Sequence, residues 1–266
     1  ATTPLMQHWF AHTDSAYADD PYFLYAASNA GSLLGLLSYP FIIQPLSTLP
    51  QQAFAWSALF AALIALVLIS FMFVRNQGAQ SPEAMGRYES EGLSLRIQLV
   101  WLLLGFAPSS LMLGVTSFIT NELGAVPMFW VVPLALYVGS YIIAFAPRPF
   151  ISRYFAHFLQ AAALVLITIQ TLVGESFNSG AVMVLHLVLF FFTALACHHE
   201  MYALRPKTGH LTRFYMIMAT GGALGGIFNA VIAPLIFVVP LEYALVLIIA
   251  MFTRYISEQS YHRSLD

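Results

Sequence analysis

All ten Lys and Arg residues of this chain lie in alternate gaps between eight long apolar runs. That pattern constrains the fold more than any motif. A membrane-crossing helix needs about 20 apolar residues, because the hydrocarbon core is ~30 Å thick and a helix rises ~1.5 Å per residue. The runs cover residues 22–46, 53–74, 98–120, 127–146, 154–173, 181–204, 214–237 and, shortest of all, 241–252. Arg75, Arg87 and Arg96 separate the second and third runs. Arg148 and Arg153 separate the fourth and fifth, and Arg205, Lys207 and Arg213 the sixth and seventh. Arg254 and Arg263 follow the eighth, whereas the gaps at 47–52, 121–126, 174–180 and 238–240 hold no basic residue. Basic residues collect on the cytoplasmic side of a membrane. The alternation therefore predicts an all-α, polytopic bundle of eight transmembrane helices with both ends of the chain cytoplasmic. Trp56, Trp101 and Trp130 fall near the starts of runs, where interfacial aromatics belong.

Composition agrees. Hydrophobic residues make up 59% of the 266 and charged residues 8%, against about a quarter charged in soluble domains. This excludes a water-soluble globular enzyme, a disordered tail and a nucleic-acid binder. The formal charge of −2 singles out no charged partner, so the expected partners are membrane lipids and other membrane protein subunits. The single cysteine, Cys197, excludes a disulfide framework or a multi-cysteine metal site within this chain.

The organisation predicted is one transmembrane domain over 1–254. Residues 1–20 read as the cytoplasmic end of a helix plus a connector, 75–97 as a cytoplasmic loop, and 255–266 as a polar cytoplasmic tail. An internal comparison supports the reading of 1–20. At an offset of 191 residues, Phe23 falls on Phe214, Gly31 on Gly222, Leu33 on Leu224 and Gly35 on Gly226, with His8 on His199. The first and seventh runs lie six helices apart, and parallel six-helix repeats are the major-facilitator pattern.

Three stretches carry a family resemblance. The first is Asp20-Pro21-Tyr22-Phe23-Leu24-Tyr25-Ala26-Ala27-Ser28-Asn29, the second Val126-Pro127-Met128-Phe129-Trp130-Val131-Val132-Pro133-Leu134-Ala135-Leu136-Tyr137. The third runs from Cys197-His198-His199-Glu200 through Arg205-Pro206 and His210-Leu211-Thr212-Arg213-Phe214-Tyr215 to Gly221-Gly222-Ala223-Leu224-Gly225-Gly226. Together they resemble the membrane region of bacterial fused spermidine synthase-like proteins, which are major-facilitator-like. The resemblance implies location in the bacterial inner membrane and, in such proteins, a cytoplasmic Rossmann-like domain after the helices. No strand–G-x-G-x-x-G–helix unit occurs here, and Gly221–Gly226 lies inside an apolar run. The synthase chemistry is therefore not carried over, and no cofactor is expected.

The candidate residues fall into three groups. Ala27, Gly31 and Gly35, and Gly221, Gly222, Gly225 and Gly226, form small-residue stripes at four-residue spacing. Such stripes let helix backbones approach closely, inside the bundle or against another subunit. Asn29, Asn229 and His186 are the polar positions inside runs that could touch a substrate or bond between helices. His198, Glu200, His210 and Arg213, with Cys197 and His199 nearby, form a cytoplasmic-face polar cluster. Neighbouring residues on a helix point ~100° apart, so Cys197, His198 and His199 cannot converge on one metal and no metal site is expected. Glu200 should pair with Arg205, Lys207 or Arg213, and Thr212 should cap the seventh helix.

No Asp, Glu, Lys or Arg sits near the middle of a run, which argues against an ion-coupled pump. The function expected is a non-catalytic integral membrane subunit or scaffold. It would pack against other membrane proteins or anchor a cytoplasmic domain. The alternatives are a transporter-like bundle for a polyamine or other small solute, and the membrane half of a spermidine synthase-like enzyme.

Overall fold

The computed structural model describes residues 2–11, 13, 15, 17, 18, 20–76, 93–123, 128–173, 178–237 and 241–263. Among them the regular structure is entirely helical. The helices are α1 (Thr2–Phe10), α2 (Phe23–Leu46), α3 (Leu49–Asn76), α4 (Leu95–Leu123) and α5 (Val131–Ala144). They continue with α6 (Arg153–Val173), α7 (Ser179–Ala203), α8 (Thr208–Ile236) and α9 (Leu241–Arg263). Six are long and apolar enough to cross a membrane: α2, α3, α4, α6, α7 and α8. The protein is thus an all-helical, membrane-embedded bundle. α5, with 14 residues, is shorter.

α4 is the axis of the bundle. Val100, Leu104, Ala107, Leu111, Val115 and Ile119 recur every three or four residues on it and are all buried. Against it pack α5, α7, α8 and α9, while α6 lies on α7 and α2 on α5. The tightest seam is α4–α8. A side-chain carbon added at Gly221 would run into the carbonyl oxygen of Leu102, and one at Gly225 into that of Phe106. Gly105 answers from α4, facing the Met218 carbonyl. The Ser109 hydroxyl donates to the Gly222 carbonyl at 2.8 Å, which ties the seam. Only residues without a side chain permit such an approach.

α2 and α8 share a further feature. Each widens into a π-turn, Tyr39–Ile43 and Phe228–Ile232, closed by the N–H of Gln44 to Tyr39 and of Ala233 to Phe228. Proline stands two residues after the end of both, at Pro45 and Pro234. Proline has no N–H and its ring crowds the preceding turn, and the wider turn accommodates both effects. In this register the two helices correspond at an offset of 189, two residues from the glycine register.

Four expectations need correction. The eighth helix does not end at 252 but runs to Arg263, so residues 255–263 are helical. The second helix starts at Leu49, with Gln51 capping it by accepting from the Thr48 N–H at 2.9 Å. Thr212 is not a cap: a 3-10 turn over Thr208–His210 leads straight into the helix, and His210 holds the cap position without a side-chain bond. The loop at 75–97 is shorter than expected, since α3 reaches Asn76 and α4 begins at Leu95. Its centre, 77–92, lies outside the described residues, as do Glu175 and 264–266.

Candidate functional site

The polar side chains concentrate where α6 begins and α7 ends. Glu200 sits in the last turn of α7 and is fully buried. A carboxylate there must be matched by donors, because isolating a charge from water is costly. Arg153, the first residue of α6, supplies two, Nε at 2.6 Å and Nη2 at 3.0 Å. Ser257 of α9 donates a third at 2.6 Å, and His157 Nε2 lies 3.4 Å away. Two helical turns from the Arg153–Glu200 pair along α6 and α7, Gln160 donates to Thr193 at 3.2 Å and accepts from Arg254 at 2.7 Å. Two stacked polar bridges therefore hold α6, α7 and α9 together at one end.

His198 points elsewhere. Its Nδ1 is 2.9 Å from the Ser140 hydroxyl, and its ring stacks on Tyr141 with centroids 3.5 Å apart. Tyr137 meets it edge-on at 5.5 Å. Tyr141 in turn contacts Tyr25, which packs on Tyr215 at 5.0 Å. The result is an aromatic column joining α2, α5, α7 and α8. The Nε2 atoms of His198 and His199 are buried without a hydrogen-bond partner.

The expected polar cluster is therefore not one site. Glu200 is not paired with Arg205, Lys207 or Arg213. Arg205 holds Asp20 at 2.9 Å and lies 3.8 Å above the Tyr202 ring, and Arg213 donates to Gln98 at 2.9 Å. His210 contributes its backbone N–H to Lys207. The reason is geometric. α6 and α7 are antiparallel neighbours, so the start of one meets the end of the other, whereas Arg205 lies beyond the helix and turns toward Asp20. Arg153, His157, Ser257 and Arg254 escaped the sequence reading because 47 to 57 residues separate Arg153 and Ser257 from Glu200. The usable signal was that α6 starts and α7 ends on the same basic side.

The three polar positions inside runs have ordinary partners. Asn29 donates to the Tyr25 carbonyl of its own helix at 2.8 Å rather than to a neighbour. Asn229 does bond between helices, to Ser110 at 3.4 Å. His186 stacks near Phe118 with centroids 4.1 Å apart and lies 3.5 Å from the Tyr243 hydroxyl. The stripes divide as well. Gly221 and Gly225 are closed on α4, but a side-chain carbon at Gly31, Gly35, Gly222 or Gly226 would meet nothing within 4 Å, and Ala27 is exposed.

Chemically, the Glu200 network is a tie in which the carboxylate is matched by Arg153 and Ser257. Among the described residues, no group of three His, Cys, Asp or Glu side chains is placed to hold a metal. No protein-family model, curated protein or solved structure matches the chain.

Proposed function

We propose that the chain is a non-catalytic integral membrane subunit, a scaffold that packs against other membrane helices. One observation carries this reading: α3. Its 27-residue apolar stretch has none of its best window buried inside the protein. Among the described residues it meets other helices at its ends, through Phe71 against Trp9 of α1 at 5.8 Å and Gln52 against the Tyr39 hydroxyl of α2 at 3.4 Å. An apolar helix in lipid gains nothing from the hydrophobic effect by joining the bundle, so a free α3 surface is available for partner helices.

In this reading the end carrying Arg75, Arg153, Arg205 and Arg213 faces the cytoplasm of a bacterial inner membrane. α5 and α9 complete eight crossings, and the arrangement is part of a major-facilitator-like bundle. The resemblance to spermidine synthase-like membrane regions extends the proposal: the tied basic end is the side on which a cytoplasmic domain would sit. The transporter alternative is less well served. Tyr25, Tyr137, Tyr141 and Tyr215 pack edge-to-face or tilted against one another rather than lining a seat for a cation.

The test is reconstitution. The purified chain in liposomes should leave internal spermidine and other small solutes unmoved. Saturable uptake that the Asn229→Ala variant abolishes would establish the transporter reading instead.

A further inference from the structure

α9 holds a cation on the interior side of the basic end. Ser257 of α9 is level with Glu200 and Arg153, since it donates to the same carboxylate. Arg254 stands about one turn before Ser257, toward the middle of the bundle. An arginine near the end of a membrane helix ordinarily turns its charged head back to the headgroups. This one reaches the other way, and its Nη1 donates to Gln160 Oε1 at 2.7 Å. Gln160 lies about two turns, ~10 Å, into α6 from Arg153, and Thr193 about two turns before Glu200 on α7.

The support for this arginine is rigid. Gln160 is 3% exposed and Thr193 0%. Gln160 Nε2 donates to the Thr193 hydroxyl at 3.2 Å, which fixes the amide with Oε1 toward Arg254. α6 lies on α7, and α9 on α4 and α7. The Arg254–Gln160 bond therefore spans the cleft between α6 and α9, with α7 as its floor. An amide oxygen occupies one of the five N–H groups of a guanidinium and cancels none of its charge. Among the described residues no carboxylate is within ion-pair distance of Arg254: Glu200 is held by Arg153 and Asp20 by Arg205. Arg254 is partly exposed, and none of its nitrogens is both buried and unpartnered. Its remaining N–H groups are thus accessible from the cleft.

We propose that the cleft between α6 and α9 is a binding site for a phosphate oxyanion. The Arg254 guanidinium is its cation, and Gln160 and Thr193 hold that cation in place. An unmatched charge inside a bilayer is costly and calls for a partner of opposite sign. The planar guanidinium offers a phosphate two parallel N–H groups, a geometry that a lysine does not provide. In a membrane the nearest phosphates are those of phospholipid headgroups at the basic end, so a headgroup drawn into the cleft is the occupant; free phosphate has the same chemistry. The inference is independent of the scaffold reading.

Binding measurements test it. The full chain in dodecyl maltoside micelles is titrated with dioleoylphosphatidylglycerol, with dioleoylglycerol (the same chains without phosphate) and with inorganic phosphate. Native mass spectrometry counts the lipid retained. Phosphatidylglycerol should stay bound and dioleoylglycerol should not. Arg254→Gln should weaken retention at least about tenfold, the worth of a hydrogen bond to a charged group. Gln160→Glu keeps the arginine but puts a carboxylate where the amide oxygen now accepts, so the site is neutralised from within and retention should fall as far. This second variant keeps the test decisive if Arg254→Gln fails to fold. Arg148→Gln, which removes an exposed basic group in the α5–α6 connection, should leave retention unchanged. Displacement of the lipid by millimolar inorganic phosphate would assign the site to free oxyanions, and its failure to displace assigns the headgroup. Equal retention of both lipids overturns the proposal, as does undiminished retention by Gln160→Glu. An equal loss in Arg148→Gln overturns it too, because the effect would then be the general attraction of a basic surface for anionic lipid.

Discussion

Four glycines within six residues of α8 should respond to the same substitution with opposite signs. At Gly222 and Gly226 a methyl group meets open space. Alanine there should stabilise the isolated chain by about 0.5–1 kcal/mol per site, because glycine in a helix interior is less favourable by that amount. At Gly221 and Gly225 the methyl meets the carbonyls of Leu102 and Phe106. These are backbone atoms and cannot rotate away, so α4 and α8 must part by roughly 1 Å. Overpacking of this kind costs about 1–3 kcal/mol per site. Parting the seam also strains the Ser109–Gly222 bond at 2.8 Å and the Asn229–Ser110 bond at 3.4 Å. The Gly221→Ala/Gly225→Ala pair should therefore lose about 2–5 kcal/mol net, and the Gly222→Ala/Gly226→Ala pair should gain about 1–2 kcal/mol. Reversible unfolding in mixed detergent micelles, followed by tryptophan fluorescence, measures both. Trp101 reports on the right place, since its buried ring packs on Phe214 of α8 at 5.1 Å. Equal losses for the two pairs would refute the orientation of α8.

Three further outcomes are expected. Arg153→Ala strands the buried Glu200 carboxylate and should cost about 3–5 kcal/mol, whereas Arg153→Met/Glu200→Met removes both charges and should come within ~1 kcal/mol of the parent; additive losses in a double-mutant cycle would contradict the tie. The Asp20–Arg205 pair is partly exposed at both side chains, so Asp20→Asn should change stability by less than about 1 kcal/mol and less still in high salt, read in the same unfolding assay. Single cysteines at Thr48 and Ser94, in a Cys197→Ser background, should react with an impermeant maleimide from opposite sides of the membrane; labelling from one side would break the proposed sidedness.

Much of the architecture was legible from the chain alone. Helices lie over the expected apolar runs, and six of them are long and apolar enough to cross a membrane, because nothing but a helix satisfies the backbone over 20 apolar residues. Termini were read less well. The end of α9 was missed because hydrophobicity stops at Phe252 while helix hydrogen bonding continues through Arg254 and Ser257. The start of α3 was missed because Leu49-Pro50-Gln51-Gln52 is too polar to look like a span, yet proline is well suited to a first helical turn.

What the sequence determined by itself is the solvent: apolar runs, scarce charge and basic residues in alternate gaps place these helices in a membrane, because the bilayer acts on each segment separately. What only the tertiary structure decided is which face of each helix meets which neighbour. Gly221 and Gly222 are adjacent and identical, yet one is closed on α4 and the other is open. Glu200 pairs with Arg153, 47 residues away, and not with Arg205, Lys207 or Arg213, which stand closer in the chain. Helices that are apolar all round carry no periodic signal to separate lipid from protein. Their rotation is set by packing, and the pairing of every polar side chain follows from that rotation.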